Sequence, residues 1–329
     1  MYYVGVDLGG TNIAVGICND EGKIIIKGSV PTPYSLHNHE ALPAEERNAM
    51  ADIITKAMAD LSLKLIKDAG LTIEDIEYAG IATPGVADGK NRMIVFASTL
   101  PFKEYPMNDK FSEFSGIKTV YIENDANAAA KGEVVCGCAK GAKNAVMITL
   151  GTGIGGGIII DGKIYSGSNC AGAEVGHTVI VTDGEPCTCG RFGCYEAHAS
   201  ATALVRQTKA AMEKDKNSKM WELCGGDISK VNGRVAFDGM RMGDETAKAV
   251  VDQYIKYVAI GAVNLINIFQ PEIFCIGGGI SNEKETLLDL LKPHIDREDY
   301  SRYNKNRTKL VIATLKNDAG IIGASMLGK

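Results

Sequence analysis

Four residue positions offer the most chemistry for their spacing. His177, Cys187, Cys189 and Cys194 bring one imidazole and three thiols into a Gly- and Pro-broken stretch, 171–196. That donor set suits tetrahedral zinc. The plainer alternative is a loop with incidental free thiols, but a C-x-C-x4-C cluster with a His ten residues upstream is hard to reach by chance. The spacing is not that of a zinc finger, so the metal is expected to shape a loop rather than build a separate domain. All four ligands come from protein, which leaves no open position for water and makes the zinc structural. Glu174 and Glu196 flank the cluster.

A second group sits where an apolar strand runs into a helix: Glu123, Asn124 and Asp125. Either Asn124 or Asp125 would be an ordinary helix N-cap. A kinase acting on an alcohol, however, needs a carboxylate to accept the hydroxyl proton. It also needs polar side chains to orient the other hydroxyls.

Three glycine-rich turns end three apolar strands: Gly9-Gly10-Thr11, 151–157 and 277–281. Glycine lets backbone N–H groups converge on an anion, so three such turns point to nucleotide phosphates. Gly151, Gly153 and Gly156 match G-x-G-x-x-G, but a strand rather than a helix follows, which excludes a dinucleotide site. No P-loop motif is present. Thr11 and Thr152 add hydroxyls beside the glycines. Asp7 ends the first strand, where it either holds magnesium through water or caps the turn.

The elements that must position these groups follow from periodicity. Strands at 2–7, 13–18 and 23–29, separated by short turns, read as an antiparallel meander. A helix over 44–69 shows Met50, Ile53, Ile54, Ala57, Leu61, Leu65 and Ile66 on one face, with Gly70 past its end. Strands at 76–81, 93–96 and 120–122 follow, with helices at 107–114 and 125–138. The pattern then repeats: strands at 145–150, 158–160 and 163–165 form a second meander around the second glycine turn. This predicts a duplicated domain. Helices at 197–212, 244–269, 282–291 and 319–327, with strands at 272–276 and 310–313, complete an α/β protein with two lobes.

The chain has 329 residues, 45% of them hydrophobic, enough for about two domains with real cores. The net charge of −5 argues against a nucleic-acid-binding surface. Nine cysteines without regular pairing fit a reducing cytosol better than a disulfide framework. No signal peptide and no run of about 18 apolar residues is apparent, so a cytoplasmic protein with no membrane span is expected. Cys18, Cys136, Cys138, Cys170, Cys224 and Cys275 read as packing residues. His37, His39, His198 and His294 read as surface or loop residues.

Taken together, DLGGT, ENDANAAAKGE, LGTGIGGG, GAEVGH and CTCGRFGCYEAHAS resemble the ROK family of bacterial sugar kinases and sugar-responsive repressors. The resemblance implies two lobes of actin-like, ribonuclease-H-like fold with ATP and sugar in the cleft. It implies domains over 1–122 plus 313–329 and over 123–312. By this likeness Asp125 is the catalytic base, and Asn124, Glu174, His177 and Glu196 grip sugar hydroxyls. His177, Cys187, Cys189 and Cys194 match the zinc ligands. Gly9, Gly10, Thr11, Gly151, Thr152 and Gly153 match the phosphate turns, and Gly278 and Gly279 the adenosine turn. Gly85, in the Thr83-Pro84-Gly85 turn, joins the candidate sugar contacts. Family kinases usually have Asn-Leu near position 98, where this chain has Ser98-Thr99-Leu100; Thr99 has a shorter reach to a hydroxyl.

The expected activity is ATP- and magnesium-dependent phosphorylation of a hexose, glucose to glucose 6-phosphate. An N-acetylmannosamine or other hexose kinase shares every motif. Repressors of the family carry a helix-turn-helix ahead of DLGGT, which here starts at Asp7, so that class is disfavoured. Family members are often dimers, so a homodimer is expected.

Overall fold

A computed structural model describes residues 1–35 and 39–329. The expectation for His37 lies outside the described residues. The chain opens with β1 (Tyr2–Leu8), β2 (Asn12–Asn19) and β3 (Ile24–Pro31), the expected antiparallel meander. Helix α1 (Ala44–Asp68) follows and ends at Ala69, with Gly70 in the left-handed region. Its buried stripe differs from the predicted face. Ile53 is exposed, while Thr55 and Ser62 are buried beside Ile54, Met58, Leu61 and Leu65. The two hydroxyls go in because each donates to a carbonyl one turn back: Thr55 to Ala51 (2.8 Å) and Ser62 to Met58 (2.7 Å). A hydrophobicity pattern does not register that compensation.

Next come β4 (Ile76–Thr83), β5 (Val86–Asp88), β6 (Met93–Phe96), β7 (Lys103–Tyr105), α2 (Met107–Ser115), β8 (Val120–Asn124) and α3 (Asp125–Val135). The second half begins with β9 (Ala145–Leu150), β10 (Ile154–Ile160) and β11 (Lys163–Ile164). Helices α4 (Tyr195–Ala199), α5 (Ala201–Lys214), α6 (Met220–Leu223), α7 (Val235–Arg241) and α8 (Glu245–Phe269) follow. The chain finishes with β12 (Ile273–Gly277), α9 (Glu285–Glu298), β13 (Lys309–Ile312) and α10 (Ala319–Ser325). The predicted helix over 197–212 is two helices. Ser200 is extended between them, and its hydroxyl caps α5 by accepting from Ala203 N.

The predicted duplication is visible in the sheets. One has the order β3-β2-β1-β4-β8 and the other β11-β10-β9-β12-β13. In each, an antiparallel meander supplies three strands and two parallel strands extend the sheet. A smaller antiparallel sheet, β5-β6-β7, was only partly anticipated because β5 and β7 are three residues long.

The chain divides into two compact units, one of residues 1–143, 157–173 and 314–329, the other of 144–156 and 174–313. Residues 123–143, assigned to the second domain from sequence, group with the first unit, because α3 packs on α10. The first unit's core is built from β1, β2, β4 and α1. In the second unit α8 buries Val251, Tyr254, Val258, Ala262 and Ile266, packing against α4, α5, α7 and α9. By length and composition α8 would also suit a membrane crossing, contrary to the reading that no such run exists; with its apolar stripe buried it serves as a core helix.

Two histidines expected at the surface are buried. His39 sits with Nε2 2.6 Å from Ala97 O, and His198 packs against Tyr257 with the two rings tilted. His294 is half-exposed beside Arg297. Cys170 is half-buried and donates to the Asp88 carboxylate rather than packing apolar.

Helix α10 lies directly on the first sheet where β1 and β4 pair Gly5 with Gly80. A Cβ on Gly80 would overlap Ala324 O, and one on Gly5 would overlap Ile321 O. Gly80→Ala is therefore expected to lower unfolding stability by about 2 kcal/mol or more, because the obstacle is backbone and cannot rotate aside. Urea denaturation of wild type and variant checks it; an unchanged midpoint would contradict this packing.

Candidate active site and metal loop

In the first unit the parallel strands β1, β4 and β8 end side by side. Ligands of α/β sheets gather beyond such carboxyl ends. β8 runs into α3 with no intervening loop, and the junction is fixed by Asn124. Its Oδ1 accepts from Ala126 N (2.9 Å) and Asn127 N (3.3 Å), two of the helix's orphan donors. Its Nδ2 donates to Gly85 O (3.1 Å), so the cap also holds the turn after β4. Asp125 is then the first residue of the helix, exposed, with Oδ1 2.8 Å from Ala126 N. A carboxylate in a helix's first turn is favoured in its ionised form.

Asp7, near the end of β1, is half-buried, and Gly320 at the start of α10 stands against its carboxylate. Burial, helped by the charge of Asp125, pushes its pKa up to about 6. A buried carboxylate whose charged form is disfavoured in this way is stabilised by a cation beside it. The Gly9 turn closes through Gly9 N to Asn12 O (2.9 Å), and Thr32 braces it through Gly9 O (2.7 Å). Thr99 is half-buried, its hydroxyl facing Gly10.

Glu123 is a member of this site whose role the sequence reading left open. Its carboxylate accepts from Asn124 N, Asn127 Nδ2 and Ser166 Oγ, and burial raises its pKa. The available signal was its position immediately before the cap. Its partners, Asn127 and Ser166, carried none.

In the second unit, β9 ends in the Gly151–Gly153 turn, closed by Gly151 N to Gly153 O (3.1 Å). The start of α5 braces it: Ala201 N donates to Gly151 O and Thr202 Oγ1 to Thr152 O, each at 2.8 Å. Glu196 on α4 accepts from Ile154 N (2.9 Å) through Oε2, which ties the metal loop's helix to the same turn. Gly278 follows β12 at φ +82°, a conformation that favours glycine, and Leu150 backbone leaves no room for a Cβ. Beside Gly279, Ile280 and Asn282 opens a cavity of about 570 Å³, also lined by Arg234 and Arg241. Arg241 is itself paired with Glu283 and Asp238.

The structure brings His177, Cys187, Cys189 and Cys194 together, their donor atoms all within 4.8 Å of one another. Cys187 Sγ lies 3.6 Å from His177 Nδ1, and Cys189 Sγ 3.6 Å from Cys194 Sγ. Zinc bonds of about 2.0–2.3 Å in a tetrahedron place ligand atoms roughly 3.5–3.8 Å apart, so the donor set and spacing fit zinc. The loop folds tightly: Cys187 N donates to Arg191 O, Gly193 N to Glu185 O and Tyr195 N to Thr178 O. His198 supports it from beneath, accepting from Glu185 N through Nε2 (3.2 Å). Burial and the Arg206 charge lower its pKa and keep it a neutral acceptor. Glu174 is exposed at the head of the 3-10 turn that ends in His177.

These features define an α/β phosphotransferase-type chain of actin-like class. The ROK family's sequence profile matches residues 3–329, and the chain belongs to that family. It is 36% identical to the glucokinase of Thermotoga maritima over 328 residues, covering 99% of this chain and 96% of the relative. It is 34% identical to the glucokinase of Halalkalibacterium halodurans over 329 residues, covering 100% and 95%. It also superposes on a ROK family glucokinase from Streptomyces griseus, solved with glucose and AMPPNP, with a TM-score of 0.77 and 32% identity over 99% of each chain.

Two outcomes follow from the geometry. A carboxylate with its folded pKa raised costs stability once ionised: the penalty is absent below the unfolded value near 3.8 and complete above about 6. Asp7→Asn is therefore expected to stabilise the magnesium-free protein at pH 7.5 by about 2 kcal/mol, and not at pH 4. Equal effects at both pH values, in chemical denaturation, would refute the assignment. Cys187→Ser should lose bound zinc, read by metal analysis, and raise the sugar KM about tenfold or more. A variant lacking zinc yet kinetically normal would show that the loop acts without metal.

Proposed function

We propose that the protein transfers the γ-phosphoryl group of ATP to the 6-hydroxyl of a hexose, with glucose as the acceptor. The observation that carries this reading is Asp125: an exposed carboxylate in the first turn of α3, fixed by the Asn124 cap and facing the field of Asp7. The full-length likeness to enzymes named glucokinase supports it.

In this reading Asp125 accepts the proton of the attacking hydroxyl as the phosphoryl group moves. Asn124, Gly85, Thr99, Glu174, His177 and Glu196 are the residues proposed to hold hydroxyls of the sugar. Glu196 accepts from Ile154 N through Oε2, and its Oε1, which lies 4.0 Å from the Cys187 thiol, is the oxygen proposed to meet a sugar hydroxyl. His177 turns Nδ1 to Cys187, which leaves Nε2 for the sugar. The backbone N–H groups around Gly9, Gly10, Thr11, Gly151, Thr152 and Gly153 hold the phosphates, and the cavity beside Gly278 and Gly279 takes the nucleoside. Magnesium, when bound near Asp7, offsets the charge on the phosphate oxygens. Zinc, held by His177, Cys187, Cys189 and Cys194, fixes the loop.

ADP release with a hexose panel tests the assignment. Glucose should give the highest kcat/KM, and Asp125→Asn should lower kcat by about 10³-fold with little change in sugar binding. A preference for N-acetylmannosamine would move the acceptor, and near-normal activity of Asp125→Asn would remove the base.

A further inference from the structure

Glu123 lies on β8, opposite Ala82 of β4, one residue before the cap. Its two oxygens do different things. Oε1 accepts from Asn124 N (2.9 Å) and from Asn127 Nδ2 (3.1 Å), and the Asn127 side chain is buried. This oxygen therefore stiffens the turn that carries Asp125. Oε2 accepts from Ser166 Oγ (3.1 Å), on the segment that follows β11. That segment is folded on itself, with Gly172 N donating to Ser166 O (2.8 Å). Further along it the Cys170 thiol donates to Asp88, a carboxylate already held by Lys90 N and Asn91 N. Two residues after Gly172 the chain reaches Glu174 and the 3-10 turn of His177.

We propose that Glu123 is a positioning residue for phosphoryl transfer, tying the Asn124–Asn127 turn that carries the base to the Ser166 segment that leads into Glu174. The proposal rests on the kinase reading above. It assigns Glu123 no contact with sugar or nucleotide. Its effect runs through Asp125 on one side, which sets kcat, and through Glu174 on the other, which sets sugar affinity. A geometric error of about 1 Å at a reacting group is enough to cost on the order of a hundredfold in rate.

The split between kcat and KM is the test. Glu123→Ala should lower kcat about 10- to 100-fold. Glu123→Gln, which keeps an acceptor for both N–H donors, should stay within about threefold of wild type. Ser166→Ala should raise the sugar KM about fivefold and leave kcat near wild type. Full activity of Glu123→Ala, equal losses in the Ala and Gln variants, or an unchanged KM in Ser166→Ala would overturn the assignment. Should Glu123→Ala fail to fold, the other two variants decide. Amide hydrogen exchange without substrate separates this tie from the kinase reading: in Glu123→Ala, residues 124–130 and 166–173 should both exchange faster. If the wild-type protein phosphorylates no hexose, the functional reading falls, while unchanged exchange in both segments would refute the tie itself.

Discussion

The start of α3 is the constraint on which the first unit's chemistry depends. A helix leaves its first N–H groups without internal partners, and here β8 enters the helix without a loop in which water would serve them. Asn124 answers with one amide: its oxygen takes two of the N–H groups and its nitrogen reaches Gly85 O. One side chain thus fixes the direction of the helix, the exposure of Asp125 and the turn after β4. The residues on either side of it are carboxylates with opposite tasks. Asp125 is presented outward, and Glu123 is spent on hydrogen bonds.

The same logic recurs in the second unit with different parts. The turn after β9 is braced by the start of α5 and by Glu196, and the turn after β12 abuts Leu150. In both units the groups assigned to chemistry lie at the carboxyl ends of parallel strands, where side chains and turn amides are free of the ladder. The meander that begins each sheet buries the apolar strands against which those ends are aligned.

Charge is arranged sparingly. Burial, helped by the charge of Asp125, raises the cost of ionising Asp7. The metal loop solves a different difficulty. Many of its residues are exposed and it has little regular structure, so side-chain ligands and backbone turns must hold its shape. The neutral His198 beneath it accepts an N–H that the exposed loop would otherwise leave to solvent.

Much of this was legible in the residue order, for physical reasons that act locally. Gly9-Gly10-Thr11 and Gly151–Gly157 announce turns, alternation and apolar runs announce β1, β4 and β9, and one His and three Cys in one broken stretch announce a cluster of donor atoms. Periodicity placed α1 and α8 to within two residues. The failures share a cause. Ile53 was put on the apolar face of α1 and Thr55 was not named there, because burial of a hydroxyl depends on a carbonyl one turn back. His39 and His198 were left at the surface, because their partners, Ala97 O and Glu185 N, lie in segments that only folding brings near. Glu123 looked like one of three polar residues in a turn, and Ser166 carried no signal. The sequence by itself determined the local turns, the strand and helix periods and the inventory of reactive groups, since those follow from neighbours in the chain. Only the tertiary structure decided which polar side chains are compensated when buried, and which oxygen of each carboxylate remains for a ligand. Those depend on hydrogen bonds between distant residues, and no spacing along the chain encodes them.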